Sequence, residues 1–249
     1  MTTDQVVSLY LCCLLSIMNK KSILTSHNSL ILYNVAQKPR NCTGRKVRYI
    51  MKKEEISYRT KKKLADSLKK FMAVKSFESI TVTSLLEDCD ITRSTFYYHF
   101  EDIYDLMVWM FDEEAVSLME NSRDIDTWSD GILLVYQYVL DNRAVCSCAM
   151  NSSSVGRSYL KRFFFRNCHA IMLRFMDSLE IDAQEDHKEF IAGFYTEAIV
   201  SSLISWMDSG MRKTPQEMIE LYEIAMKGSV RAAMLRSAEQ KRKGQGNGM

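Results

Sequence analysis

A chain of 249 residues with 47% hydrophobic and 26% charged residues has the composition of a folded globular protein, which excludes a low-complexity or largely disordered polymer. Nine Gly and two Pro are too few for a turn-rich sheet protein, and apolar residues recur at helical spacing along most of the length, so the predicted fold class is all-α. The net charge of +2 hides an uneven distribution: residues 51–75 hold nine Lys/Arg against three Asp/Glu, and residues 76–105 hold one Arg against seven acids.

In chain order, Val6 to Met18 comes first, a thirteen-residue apolar run too short to cross a bilayer as a helix. The residues before it carry Asp4 and no Lys or Arg, and no small-residue cleavage site follows, so neither a signal peptide nor a membrane partner is expected. Met51-Lys-Lys-Glu-Glu opens a short polar arm, and Gly44-Arg45-Lys46 suits purine-rich codons of a ribosome-binding site. We read Met51 as the start of the functional protein and residues 1–50 as an unstructured or mis-assigned extension.

Residues 51–105 read as a DNA-binding unit. From Tyr58 to Val74, Leu64, Ala65, Leu68, Phe71 and Met72 fall on one helical face, with Lys61, Lys62, Lys63, Lys69 and Lys70 over much of the rest. Thr81 caps a short second helix whose inward residues are Val82, Leu85, Leu86 and Cys89; Asp90-Ile91 breaks it, and Thr92 caps a third. In that third helix Phe96 and Phe100 turn inward, leaving Arg93, Ser94, Thr95 and Tyr98 outside, the pattern of a helix-turn-helix with its recognition helix last. Phe96, Tyr97, Tyr98 and Phe100 do not read as a mere core stripe, because Tyr97, Tyr98 and His99 cannot all point inward on one helix. Arg93 can donate two hydrogen bonds to a guanine edge, Ser94 and Thr95 can bond a base or pack on a thymine methyl, and Tyr97 or His99 can donate to phosphates. Lys52, Lys53 and Arg59 of the arm add phosphate contacts.

Ile80-Thr-Val-Thr-Ser-Leu-Leu, then Ile91-Thr-Arg-Ser-Thr-Phe-Tyr-Tyr-His-Phe and Tyr104-Asp-Leu, resemble the signature of the tetracycline-repressor (TetR) family in order and spacing. The resemblance implies base contacts from Arg93, Ser94, Thr95 and Tyr98, and phosphate contacts from Thr92, Tyr97 and His99. It further implies a cytoplasmic repressor that binds a palindromic double-stranded DNA operator as a homodimer under control of a small-molecule or protein effector, with no cofactor. The family's usual turn glycine is Asp90 here, and the usual lysine opening the fourth helix is Ile103, which removes one phosphate contact. Asp tolerates the left-handed conformation such a turn needs.

Residues 106–237 read as a helical regulatory and dimerisation domain. A fourth helix capped by Asp102 runs to about Asn121, a break covers 121–130, and helices are predicted over 131–142, 154–179, 184–209 and 215–237. Thr214-Pro-Gln-Glu217 forms a capping box with Pro in the first turn, and Gly210 stops the preceding helix. Trp206-Met-Asp-Ser-Gly210 followed by Thr214-Pro-Gln-Glu-Met218 resembles the C-terminal domain of Firmicutes TetR-type regulators such as those of dihydroxyacetone-kinase operons. The tail, 238–249, is rich in Lys, Gln and Gly and is predicted to be disordered.

Glu189 to Met207 is apolar nearly all round, with small residues on one side, so it must be covered twice, once by its own domain and once by a symmetry mate. Gly193, Glu197 and Ser201 mark that interface, and Glu197 needs a partner such as an Arg across it. Tyr136, Phe164, His169, Met172 and Tyr195 are candidate linings of an effector pocket; the alternative is a solid core in a regulator that senses a partner protein, or a helical interaction module. The scattered, odd-numbered cysteines suit a reducing cytoplasm. Cys146-Ser-Cys148 and Cys168-His169 lack the spacing of zinc motifs, and an enzyme using Cys148 as nucleophile and His169 as base lacks an oxyanion hole and an orienting group. No metal, catalytic residue or enzymatic activity is expected.

Overall fold

Lys, Glu, Arg and Met, all good helix formers, dominate the chain between residues 45 and 72, with no Gly or Pro to interrupt them. In the computed structural model they form one helix, α1 (Gly44–Met72). The structure describes residues 44–121 and 127–246, with side chains placed for 53–115 and 127–244. Residues up to Ile56 and residues from Ser57 onward are separate units. Of the proposed extension, residues 1–43 lie outside the described residues, and 44–50 belong to α1. The arm expected at residue 51 is likewise helical.

From Ser57 on, the head follows the predicted pattern. Leu64, Leu68 and Met72 of α1 are buried, and a 3-10 turn at Phe77–Ser79 sets Phe77 into the same core. Thr81 then caps α2 (Val82–Cys89) in a reciprocal box with Ser84. Asp90 stops α2 in the left-handed region, at φ 49° and ψ 55°, and its N–H bonds back to Leu86 and Glu87 carbonyls. Thr92 accepts the Thr95 N–H and starts α3 (Arg93–His99). Asp102 accepts the Asp105 N–H at 2.8 Å and starts α4 (Ile103–Asn121), whose Leu106, Met107, Met110 and Phe111 carry the core out of the head.

The body is built from α5 (Trp128–Asp141), α6 (Arg143–Asn151), α7 (Ser154–Ser178), α8 (Glu185–Asp208), α9 (Pro215–Met226) and α10 (Ser229–Gly246). Helix α7 is its axis, packing against α4, α5, α6, α8 and α10, while α9 lies on α5. Gly131 permits the α5–α7 approach: a Cβ there would sit 2.5 Å from Cγ2 of Ile171. Among the described residues no strand forms, as the helical periodicity requires.

Three boundaries differ from expectation. Thr127 caps α5 three residues earlier than predicted, because Trp128 is a buried core residue and not part of the break. The predicted helix 215–237 is two, divided at Lys227-Gly228, where Gly228 takes φ 72°. The tail is not disordered through residue 246: α10 continues over Ala238 to Gly246, since Ala238 is buried and Ala, Glu, Gln, Lys and Arg favour helix. Helix α6, around Cys146 and Cys148, was not predicted. Helix α8 is long and apolar enough by composition to pass for a membrane span, but Ala192, Thr196, Ile199, Val200, Leu203, Trp206 and Met207 bury one side of it in the body.

Candidate nucleic-acid interface

Helix α3 is fixed from beneath and free above. Phe96 and Phe100 are buried with ring centroids 6.0 Å apart, anchoring one face. On the other, Thr92, Arg93, Ser94, Tyr97 and Tyr98 are exposed and Thr95 and His99 half-buried. Tyr98, at 69% exposed, and Tyr97, at 52%, are among the most exposed large side chains of the head, which a mere core stripe would not leave in water. The Thr92 hydroxyl lies 3.0 Å from the Ser94 hydroxyl and 2.8 Å from that of Thr95, so the cap also orients both small polar side chains. Arg93 reaches back to α2, where its guanidinium donates to the Thr83 hydroxyl at 3.3 Å.

His99 stacks edge-on to Tyr98, with centroids 4.9 Å apart. Burial, and then the nearby Lys61 charge, hold its pKa below the ordinary histidine value, so the ring is neutral at neutral pH. Lys61 itself lies 5.7 Å from the ring centroids of both Phe100 and Trp109, and so is held on the aromatic floor of the head.

The acidic character of residues 76–105 is moderated by pairing. Asp88 binds Lys70 and the Ser67 hydroxyl, and these bonds hold its carboxyl below the ordinary range. Asp102 and Asp105 accept backbone N–H groups at the start of α4. Ile103, in place of the expected lysine, is half-buried against the core, trading a charge for packing. Lys53 and Arg59 are exposed on α1; the Lys52 side chain lies outside the described residues.

The remaining candidates do not form one site. Tyr136, Phe164 and Met172 are wholly buried in the body; the Tyr136 hydroxyl meets that of Tyr222 at 2.8 Å, and Tyr222 donates to the Ile199 carbonyl at 3.2 Å. His169 and Tyr195 sit half-buried at the rim, where His169 stacks on Phe165 and approaches Glu189 to 3.5 Å. Gly193 lies on the outer side of α8, where a Cβ would meet nothing within 4 Å, beside exposed Phe190, Phe194 and Ser201. Glu197 is exposed and pairs within the chain, with Lys161 at 3.6 Å, so it does not need the cross-interface Arg expected of it. Cys146 and Cys168 are buried, and burial pushes both thiols up to about 12, so neither supplies a ready thiolate. Among the described residues, no group of three His, Cys, Asp or Glu side chains is placed to hold a metal ion.

Sequence reasoning missed Thr83, which touches Arg93, and the acids of α4, which face other helices. Thr83 was traceable in principle, since it lies one residue into α2 on the side opposite Leu85. The α4 acids carry no local signal, because their partners are distant in sequence.

Residues 126–228 match the TetR-type family described as "Transcriptional regulator C-terminal region". Over these residues the chain is similar to C-terminal regions of TetR-type transcriptional regulators. A curated relative is the "HTH-type dhaKLM operon transcriptional activator DhaS" of Lactococcus lactis subsp. lactis (strain IL1403), 29% identical over 93 residues, which are 37% of this chain and 48% of that protein. The chain thus spans about half the length of the curated relative it matches. Two solved structures share the TetR fold. The "Dihydroxyacetone kinase operon activator DhaS" has TM-score 0.56 and 18% identity, covering 70% of this chain and 97% of its own. A "TetR transcriptional regulator" from Streptococcus agalactiae 2603V has TM-score 0.50 and 18% identity, covering 70% and 96%. The matched family and these relatives are regulators, not enzymes, as expected of this chain.

Proposed function

We propose that this chain is a TetR-type regulator of transcription that binds a palindromic DNA operator as a homodimer. The observation that carries the reading is α3: a Thr92-capped helix, bolted down by Phe96 and Phe100, that presents Arg93, Ser94, Thr95 and Tyr98 to solvent with Thr92, Tyr97 and His99 at its margins. A helix of this kind entering the major groove puts Arg93 opposite a guanine edge and the flanking hydroxyls near the backbone. Lys52, Lys53 and Arg59 of α1 add sequence-independent attraction.

The dimer forms through the outer side of α8, where Gly193 and Ser201 allow close approach and Phe190 and Phe194 supply apolar area. Two copies of α3 then meet successive major grooves about one helical turn apart. Regulation by a bound effector is part of the reading. The full burial of Tyr136, Phe164 and Met172 favours a protein partner over a small molecule lodged among those side chains, with His169 and Tyr195 as the rim open to either. Occluding a promoter makes such a dimer a repressor; the relative's name records an activator.

Selection of bound sequences from a random DNA pool tests the whole reading. Enrichment of a palindrome is the expected result. A pool that stays random with folded protein refutes it.

A further inference from the structure

We propose that Lys61 of α1 is a phosphate anchor: its ammonium, carried on the aromatic floor of the head beside the C-terminal end of α3, binds one DNA phosphate per protomer. That the phosphate belongs to an operator rests on the function proposed above; the position of the ammonium does not.

The lysines of α1 differ in what holds them. Lys62 pairs with Asp66 at 3.1 Å, one turn along the same helix. Lys63 donates to the Cys89 carbonyl at the end of α2. Lys69 pairs with Glu114 of α4 at 2.6 Å, and Lys70 with Asp88 of α2. Each of these ammonium groups already has an oxygen. Among the described residues, none is placed against Lys61, whose ammonium stands 5.7 Å from the ring centroids of both Phe100 and Trp109. Ring faces attract the charge but leave the three N–H donors open. The floor is itself braced, since Trp109 meets Phe100 and Tyr58 edge-on, each at 6.0 Å between centroids, and Phe100 is buried. A lysine held in this way loses little freedom when an anion arrives.

Position decides what those donors meet. Lys61 is close enough to His99 for its charge to help keep that ring neutral. His99 lies edge-on to the exposed Tyr98, so Tyr98, His99 and Lys61 form a row from the solvent face of α3 onto α1. No other cation serves this end of α3. Between residues 76 and 105 the sole Lys or Arg is Arg93, at the opposite end of the helix. Glu101 and Asp102 follow directly and are exposed, and Ile103 packs on the core. A phosphate beside His99 would therefore meet a neutral ring and two carboxylates, and Lys61 is what makes the contact attractive. Lys75 is the contrast. It too rests on a ring, Phe71 at 4.6 Å, but at the end of α1 that faces the body, where its carbonyl accepts the Cys148 thiol at 3.4 Å.

The test compares Lys61→Gln, Lys61→Arg and Lys75→Gln in the full chain, with affinity for selected DNA measured by fluorescence anisotropy between about 50 and 200 mM salt. Each phosphate contact by a cation contributes about 0.9 to the slope of log affinity against log salt. Lys61→Gln should therefore flatten the slope by about 0.9 for each protomer bound, about 1.8 for a dimer, and weaken every operator variant alike. Lys61→Arg should keep the slope, and so should Lys75→Gln. A slope unmoved by Lys61→Gln overturns the anchor; so does an equal loss with Lys75→Gln, which would mean that only the overall charge of the head counts. Reductive methylation of the unaltered chain, read by mass spectrometry, gives a second measurement: DNA should shield Lys61 and leave Lys75 reactive, and a Lys61 that stays reactive in the complex overturns the anchor. A random pool that yields no bound sequence overturns the functional reading and the anchor with it, whereas an unmoved slope overturns the anchor alone.

Discussion

The head and the body are made of the same material, amphipathic helices around buried Leu, Met and Phe, but they put their polar groups in opposite places. In the head, Thr81, Thr92 and Asp102 each serve a helix start, and the side chains left over, Arg93, Ser94 and Tyr98, face water. In the body, several polar groups are turned inward and paired there: Tyr136 on Tyr222, Asn167 on the Phe163 carbonyl at 2.8 Å, the Ser237 hydroxyl accepting the Gln184 N–H at 3.1 Å; the buried Thr196 hydroxyl has no such partner. One region leaves polar side chains open to solvent, while the other pairs many of its own and leaves an apolar flank, Phe190 and Phe194, exposed on α8.

Substitutions should separate the two. The largest effect belongs to the body core: Phe164→Ala should cost about 3–5 kcal/mol in urea unfolding, because the void lies where no side chain can collapse into it cheaply. Tyr98→Ala in the head, equally aromatic but exposed, should stay within about 0.5 kcal/mol. Equal costs would erase the distinction between core and reading face. Next comes Gly193→Leu, which adds a side chain where the single chain leaves open space. It should preserve helical content and melting of the protomer yet yield a monomer by sedimentation velocity; a surviving dimer moves the interface off α8.

Arg93→Ala should cost about 1–3 kcal/mol of operator affinity and relax preference at one symmetric pair of base positions. Tyr97→Phe should weaken every operator variant alike, having lost only a phosphate contact. If Arg93→Ala also weakened all sequences uniformly, Arg93 would be a backbone contact and the reading face would lie elsewhere on α3.

The smallest effect is pH-dependent and has two signs. His99 has a folded pKa below its unfolded value of about 6.5, so the folded head binds that proton more weakly. Its contribution to stability is present above that pH and is lost as pH falls through it. Phosphate beside the ring favours the charged form, so operator affinity should rise over the same interval. His99→Gln should flatten both trends, read by unfolding and by fluorescence anisotropy between pH 5.5 and 7.5. A His99→Gln protein with an unchanged affinity profile would remove His99 from the interface.

The head was legible residue by residue because its signals are local. A capping Thr at the start of each short helix, a break at Asp90 and a Phe pair four apart define the helix-turn-helix within twenty residues. The body was legible only as periodicity. Most of its helices fell near where the apolar spacing put them, but α6 escaped because Arg143–Asn151 is only nine residues long and its buried face is built largely from small or weakly apolar side chains, Cys146 and Ala149 beside Val145 and Met150. The tail looked disordered because composition alone does not reveal that Ala238 packs and Ser237 caps the approach to α8. Glu197 seemed to need a partner from another chain, since nothing in its own helix reveals Lys161 on α7. The same holds for Asp112 to Glu114: a run of acids reads as a wetted face until the folded chain shows what stands opposite each one.

Asp90 has a bearing on how this protein can change over generations. Holding a residue with a Cβ at φ 49° costs about 1 kcal/mol or somewhat more, and glycine removes that cost while losing only part of the gain to its greater unfolded freedom. An aspartate codon becomes a glycine codon through one base change. The turn of the head thus keeps a small reserve of stability one mutational step away, enough to offset a moderately damaging substitution elsewhere in α2 or α3. A lineage exploring new recognition residues at 93, 94, 95 or 98 has that reserve to draw on, and selection experiments that diversify those positions should recover Asp90→Gly as a companion change.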